Sequence, residues 1–263
     1  MIAQADAGGS VLETVETNNT RTAGLVRIGA DLTVALVTPP PAGAGGSVAV
    51  ACTTTNGGIA AADATSTALY LSANAVLDAA DVLLGSHPVP PLDPTATYTA
   101  STAVQVPAAT LTGTYYVLAV ADAGSRVAEA NETNNTDAAV MRVGPDLIAS
   151  ALAAPSSAVA GAAITVTDTV RNQGGGAAGG SATRVYLSTN GSFDTGDTLL
   201  ASRPVGPLDP GGTDSGPIQV TLPADLPTAS FYLIAVADGE AQVTETMEGN
   251  NSRAVLVRVT AAP

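Results

Sequence analysis

Asn74, Asp78 and Asp81 stand at a spacing that recurs as Asn190, Asp194 and Asp197, an Asn-x3-Asp-x2-Asp arrangement that follows a Tyr-Leu-Ser run in each case. Three side-chain oxygens converging in one short loop are the beginning of a Ca²⁺ site, whose roughly six to eight oxygen ligands would be completed by carbonyls and water. The same residue types also close loops unaided, because Asn and Asp bond their own backbone two residues on. The dense alternating acids of an EF-hand loop are missing. A structural turn is therefore the preferred reading, with calcium the alternative for these six residues.

A second acidic pattern occurs three times. Asp6, Asp122 and Asp238 are each followed by Val at +5, Glu at +7 and +10, and Asn-Asn at +12 and +13. Asp122, Glu129 and Glu132 suit an ion or a partner contact. They equally suit a long hairpin with a secondary turn, in which Val127 points inward and Asn134-Asn135 satisfy backbone groups or take positive φ. The hairpin is the preferred account. Nucleophilic catalysis needs a base and an orienting group beside the nucleophile, yet the chain has one His, His87, whose counterpart in the repeat is Arg203, and one Cys, Cys52, whose counterpart is Asp168. No catalytic residue is assigned and the chain reads as a non-enzyme. A zinc site of Cys/His type and an internal disulfide are excluded, and Cys52 reads as an inert, half-buried thiol.

These residues are positioned by a repeated unit. The Asp-to-Asn-Asn segments are separated by 122 − 6 = 116 and 238 − 122 = 116 residues, a period near the usual domain size. Residues 1–29 match only the end of a unit, 30–144 form a whole unit and 145–260 a second, with one extra residue between Leu147 and Pro155. Within a unit the apolar period is two: Val48 and Val50, like Ile164 and Val166, alternate with small or polar residues. Seven strands are expected in the first unit, near 31–37, 47–55, 65–72, 82–89, 97–106, 114–121 and 136–143, with the same set in the second. The 17 Pro and 27 Gly fall largely between such runs. Short strands at this density, with no helical periodicity, predict tandem immunoglobulin-like β-sandwiches preceded by a partial one. The sixth strand, apolar on both faces, should be central in its sheet, with Tyr116 and Tyr232 as candidate corner tyrosines.

Composition narrows the partners. With 46% hydrophobic but only 3% aromatic residues and no Trp, the cores must be built from Val, Leu, Ile and Ala. The net charge is −14 and all nine basic residues are Arg, which disfavours nucleic acid and anionic lipid. No apolar run approaches the ~20 residues of a membrane helix. There is no charged-then-apolar leader at Met1, where the sequence starts inside a repeat.

The start Pro145-Asp146-Leu147, the middle Tyr186-Leu187-Ser188 through Asp194, Asp197, Leu199 and Leu200, and the end Tyr232 to Asp238, Glu245, Glu248, Asn250 and Asn251 resemble the CARDB module, the cell-adhesion-related domain found in bacteria. Val15 and Met247 depart from the pattern at the Asn131 position. The resemblance implies sandwiches used in tandem on secreted or cell-surface proteins. The functional expectation is a non-catalytic extracellular stalk or spacer, each module contacting its neighbour and any outside partner being a surface protein or glycan. The alternative is an accessory segment of a larger secreted hydrolase. Joined end to end, two modules should span roughly 80 Å.

Overall fold

Burial alternates residue by residue along β4 (Ser47–Asn56), where Val48, Val50, Cys52, Thr54 and Asn56 point inward and their neighbours face out. β-branched residues suit such a half-buried pleated surface. The same alternation marks β12 (Ala163–Asn172) and the paired edges β7 (Thr97–Gln105) and β15 (Thr213–Thr221). The computed structural model describes residues 1–24 and 27–263; Leu25 and Val26 of the 1–29 segment lie outside the described residues.

All seven strands expected in the first unit form. β3 (Leu32–Leu36), β4 and β7 make one antiparallel sheet; β6 (Val82–Val89), β5 (Thr65–Ser72), β8 (Gly113–Val120) and β9 (Thr136–Val143) make the other, in that spatial order. The second unit repeats this with β10 (Leu147–Ala153), β12 and β15 facing β17 (Ser252–Thr260), β16 (Ala229–Val236), β13 (Ser181–Ser188) and β14 (Thr198–Val205). One short strand was not legible. β11 (Ser157–Val159) pairs in parallel with Arg258–Thr260, and its counterpart is a single bridge between Ala42 and Val143.

Each sandwich has its own core. Leu32, Val50, Leu69, Val117 and Met141 centre the first; Leu147, Val166, Val185, Leu233 and Val257 centre the second. β8 and β16 lie inside their sheets, as expected of strands apolar on both faces. Val117 and Ala119 face the core, whereas Leu118 between them is buried on the opposite face, as is Ile234 in β16. The corner bond comes from a neighbour of the expected residue. Tyr115, whose ring packs on the core side, donates its hydroxyl to the Leu111 carbonyl at 3.1 Å, and its counterpart Phe231 has no hydroxyl to give.

At the amino end, β1 (Ile2–Gln4) and β2 (Thr20–Thr22) form a hairpin whose pairing Ile2↔Thr22 has the register of Leu118↔Ala138 in β8–β9. Residues whose counterparts are buried lie uncovered here: Ile2 is 69% and Val11 60% exposed, against 0% for Leu118 and 8% for Val127.

The two sandwiches meet through the segment between β9 and β10. Gly144, at φ 127°, donates its amide to the Ala42 carbonyl of the first sandwich at 2.9 Å and accepts the Gly176 amide of the second at 2.9 Å. Gly58 and Gly174 approach the backbone of the segment leading into their own sandwich so closely that a Cβ would lie 2.4–2.6 Å from it. The far end of one sandwich thus faces the near end of the next.

Candidate functional site

In the loop after β5 each predicted residue contributes one side-chain oxygen to a ladder of turns. Asn74 Oδ1 accepts the Val76 amide at 2.8 Å, Asp78 Oδ1 the Ala80 amide at 2.7 Å, and Asp81 Oδ2 the Asp78 amide at 2.8 Å. After β13 the ladder is repeated: Asn190 accepts from Ser192 at 2.8 Å, Asp194 from Gly196 at 2.7 Å, and Asp197 from Asp194 at 3.0 Å. The bonds of Asn74, Asp78, Asn190 and Asp194 to the amide two residues on are Asx turns, whereas Asp81 and Asp197 reach back to the amide three residues before them. They fold the loop back over the outer face of the sheet. Ala75, Val76 and Leu77 line an open cleft together with Thr136–Ala138 of β9, and Phe193 packs on Tyr186 with ring centroids 4.7 Å apart.

The thrice-repeated segment is a latch. Asp122 accepts the Arg126 amide at 3.0 Å and the Val127 amide at 2.9 Å, and also the Thr65 hydroxyl. Asp238 does the same for Gln242 at 3.0 Å and Val243 at 2.8 Å, and Asp6 for Ser10 at 2.8 Å and Val11 at 2.9 Å. Positive φ falls on these Asp residues, at 42–45°, so of the two roles expected of the Asn pair, positive φ or hydrogen bonding to the backbone, the first is not taken. The Asn side chains bond carboxylates, and Asn251 also donates to the Ala237 backbone carbonyl at 3.3 Å. Asn134 donates to Asp31 Oδ1 and Asn250 to Asp146 Oδ1, both at 2.9 Å. Glu129 accepts the Leu32 amide and the Asn135 side chain, the latter at 2.7 Å; Glu245 accepts the Leu147 amide and, at 2.9 Å, Asn251. Glu132 and Glu248 steady these carboxylates by accepting the amides of Glu129 at 2.8 Å and Glu245 at 3.1 Å. The last hairpin of each sandwich is thereby tied to its first strand.

This role has an electrostatic cost. Burial pushes Glu129 above the usual carboxylate range, and it pushes Glu245 up to about 7, against the pull of the Leu147 and Asn251 hydrogen bonds.

The residues that differ most between repeats prove to be partners. Asp168, fully buried, receives Arg203 in a two-pronged pair at 2.9 and 3.1 Å and the Thr183 hydroxyl at 2.7 Å, while Arg203 also reaches Asp214. At the matching place in the first sandwich Cys52 Sγ lies 3.9 Å from His87 Nε2, and His87 Nδ1 shares a 2.9 Å hydrogen bond with Thr102. Burial raises the thiol's pKa and lowers the imidazole's, which favours two neutral groups. A neutral, buried thiol is a poor nucleophile. The sequence carried one trace of this pairing: positions 52 and 87 change together to 168 and 203, at the same separation of 87 − 52 = 203 − 168 = 35.

Two antiparallel sheets of this strand order, repeated in tandem and each closed by a latch, define a modular all-β protein of immunoglobulin-like sandwiches. The CARDB family model matches residues 29–139 and again 144–255, together most of the chain. The chain belongs to the CARDB family. Among solved structures it is similar to the CARDB domain of a Pyrococcus furiosus protein crystallised in complex with di-metal ions, at 23% identity, TM-score 0.35, covering 44% of this chain and 90% of that one. A domain of a candidate cell surface protein from Methanosarcina acetivorans is 23% identical with TM-score 0.34, covering 44% of this chain and 92% of that one. Red sea bream transglutaminase is 13% identical with TM-score 0.47, covering 90% of this chain but only 32% of its own length. Among curated proteins none matches the chain.

Proposed function

We propose that this chain is a non-catalytic stalk or spacer of an extracellular or cell-surface protein, holding a binding or reacting part at a fixed distance. The observation that carries this reading is the joint at Gly144, whose amide and carbonyl bond the two sandwiches in an end-to-end order. Neutral Cys52 and His87, and an Asp168–Arg203 pair buried as structure, support a role without chemistry. The six Asn and Asp residues close their loops by accepting amides within them. The β1–β2 hairpin corresponds to the closing hairpin of a module, and the modules proper run 30–144 and 145–260. As an accessory segment of a larger secreted hydrolase the pair would serve the same mechanical purpose. The net charge of −14 turns such a stalk away from nucleic acid. The test is a glycan and envelope-protein binding array probed with the intact chain. A spacer gives no saturable binding, whereas saturable binding that competes with free ligand would make recognition the function.

A further inference from the structure

Gly175, in the loop between β12 and β13, lies against the backbone of the first sandwich: a Cβ there would fall 2.3 Å from the Ala42 nitrogen and 2.4 Å from the Pro41 carbonyl carbon. Facing it, a Cβ on Gly43 would fall 2.9 Å from the Gly175 carbonyl oxygen and 3.2 Å from Gly176 Cα. Gly144 sits between them at a φ of 127° that L residues rarely adopt, and a Cβ on it would meet the Thr112 side chain at 2.6 Å. The joint therefore depends on glycine at positions 43, 144 and 175 together.

The repeat shows where such a joint cannot be rebuilt. Ile59 holds the position of Gly175 (175 − 116 = 59) at the near end of the first sandwich. Its amide donates to Gly29 at 2.9 Å, and Gly29 at φ 132° matches Gly144, so the backbone is prepared in the same way. The side chain, however, is 69% exposed where the joint admits no Cβ. At the far end of the second sandwich Val159 holds the position of Gly43 (159 − 116 = 43), Ala162 that of Gly46 (162 − 116 = 46) and Thr260 that of Gly144 (260 − 116 = 144). Val159 and Thr260 pair there in the extended β11–β17 ladder, where the first sandwich has only the Ala42–Val143 bridge.

We infer that the joint is a keyed lock particular to this pair, so that β3 to β17 move as one rigid body whose two outer ends reject the same contact. A module meeting Ile59 or Val159 docks differently or hangs from its linker. This deepens the spacer reading and rests on its end-to-end placement: the stalk is stiff within the pair and articulated outside it.

Pulsed electron spin resonance on the intact chain tests the lock. Spin labels go on cysteines introduced at the exposed, equivalent positions Thr97 and Thr213, buried Cys52 remaining unlabelled. The parent should give one narrow distance distribution. Gly175→Ile, which installs the residue already tolerated at position 59, should broaden it at least about twofold, whereas Val159→Gly should leave it unchanged. Gly43→Val serves as the second variant if Gly175→Ile fails to fold. A broad parental distribution about a long mean, or a narrow one that both joint variants leave untouched, overturns the lock and spares the spacer. A short mean overturns the end-to-end placement on which both rest.

Discussion

The amide of Leu32 donates to the carboxylate of Glu129, 97 residues further along the chain, and Leu147 and Glu245 repeat the bond across 98. Each pair closes its sandwich by holding the last hairpin against the first strand.

Removing the carboxylate leaves buried donors without partners. Glu129→Ala strands the Leu32 amide and the Asn135 side chain, each costing about 1–3 kcal/mol. Hydrogen exchange at Leu32 should accelerate and the first sandwich should unfold earlier in a denaturant titration, with the second unaffected. Glu13→Ala, at the equivalent position of the amino-terminal hairpin, should change neither. Equal effects from both substitutions would show that the latch is not what holds the hairpin.

The same carboxylates make stability depend on pH in an unusual direction. A folded-state pKa raised above the unfolded value contributes stability that is present below the ordinary Glu value and lost as pH rises through the folded one. For Glu245 that window closes near pH 7, so the second sandwich should lose about 1–3 kcal/mol between pH 5 and pH 8. Glu245→Gln should flatten the profile, since the unpartnered Asn251 Oδ1 can turn to accept from the new amide. Rising stability over that interval, or a profile that Glu245→Gln leaves unchanged, would refute the assignment.

The buried pairs should be exchangeable only together. Asp168→Cys or Arg203→His alone breaks a buried ion pair, a loss of about 3–5 kcal/mol. The double variant restores the Cys–His pair, though not the Thr102 bond, since the equivalent position holds Ile218, and should recover part of that loss, with a coupling energy of about 0.5–3 kcal/mol in a double-mutant cycle. Strict additivity would mean that the two positions are not energetically linked.

Calcium is tested by titration. Because the Asn190, Asp194 and Asp197 loop already satisfies its own amides, millimolar calcium should leave the melting temperature where it was. A ligand that binds only the folded state would raise it. A rise that Asp194→Ala abolishes would reassign the loop as a metal site.

Period-two patterning made the strands legible, because side chains alternate between faces whatever their partners are. The duplication placed the repeats, since one residue such as Asp122 had matches at both Asp6 and Asp238. What sequence reading missed depends on contacts distant in the chain. Glu129 reaches a backbone amide, which leaves no complementary side chain to notice at Leu32. Cys52 and His87 looked unrelated because they lie on strands of different sheets, β4 and β6. The two apolar faces of β8 correspond to its place inside the sheet, between β5 and β9. Tyr115 and Tyr116 are adjacent and chemically alike, so only their facing decided which made the corner bond.

The most direct test of the spacer is small-angle X-ray scattering of the intact chain at low and high salt. Strands rising about 3.3 Å per residue make each sandwich on the order of 40 Å long, and two joined end to end roughly 80 Å. The account predicts an elongated pair-distance profile of about that length from the two sandwiches, unchanged by salt because the joint is made of backbone hydrogen bonds rather than by repulsion within the −14 chain. A compact globular profile would contradict it.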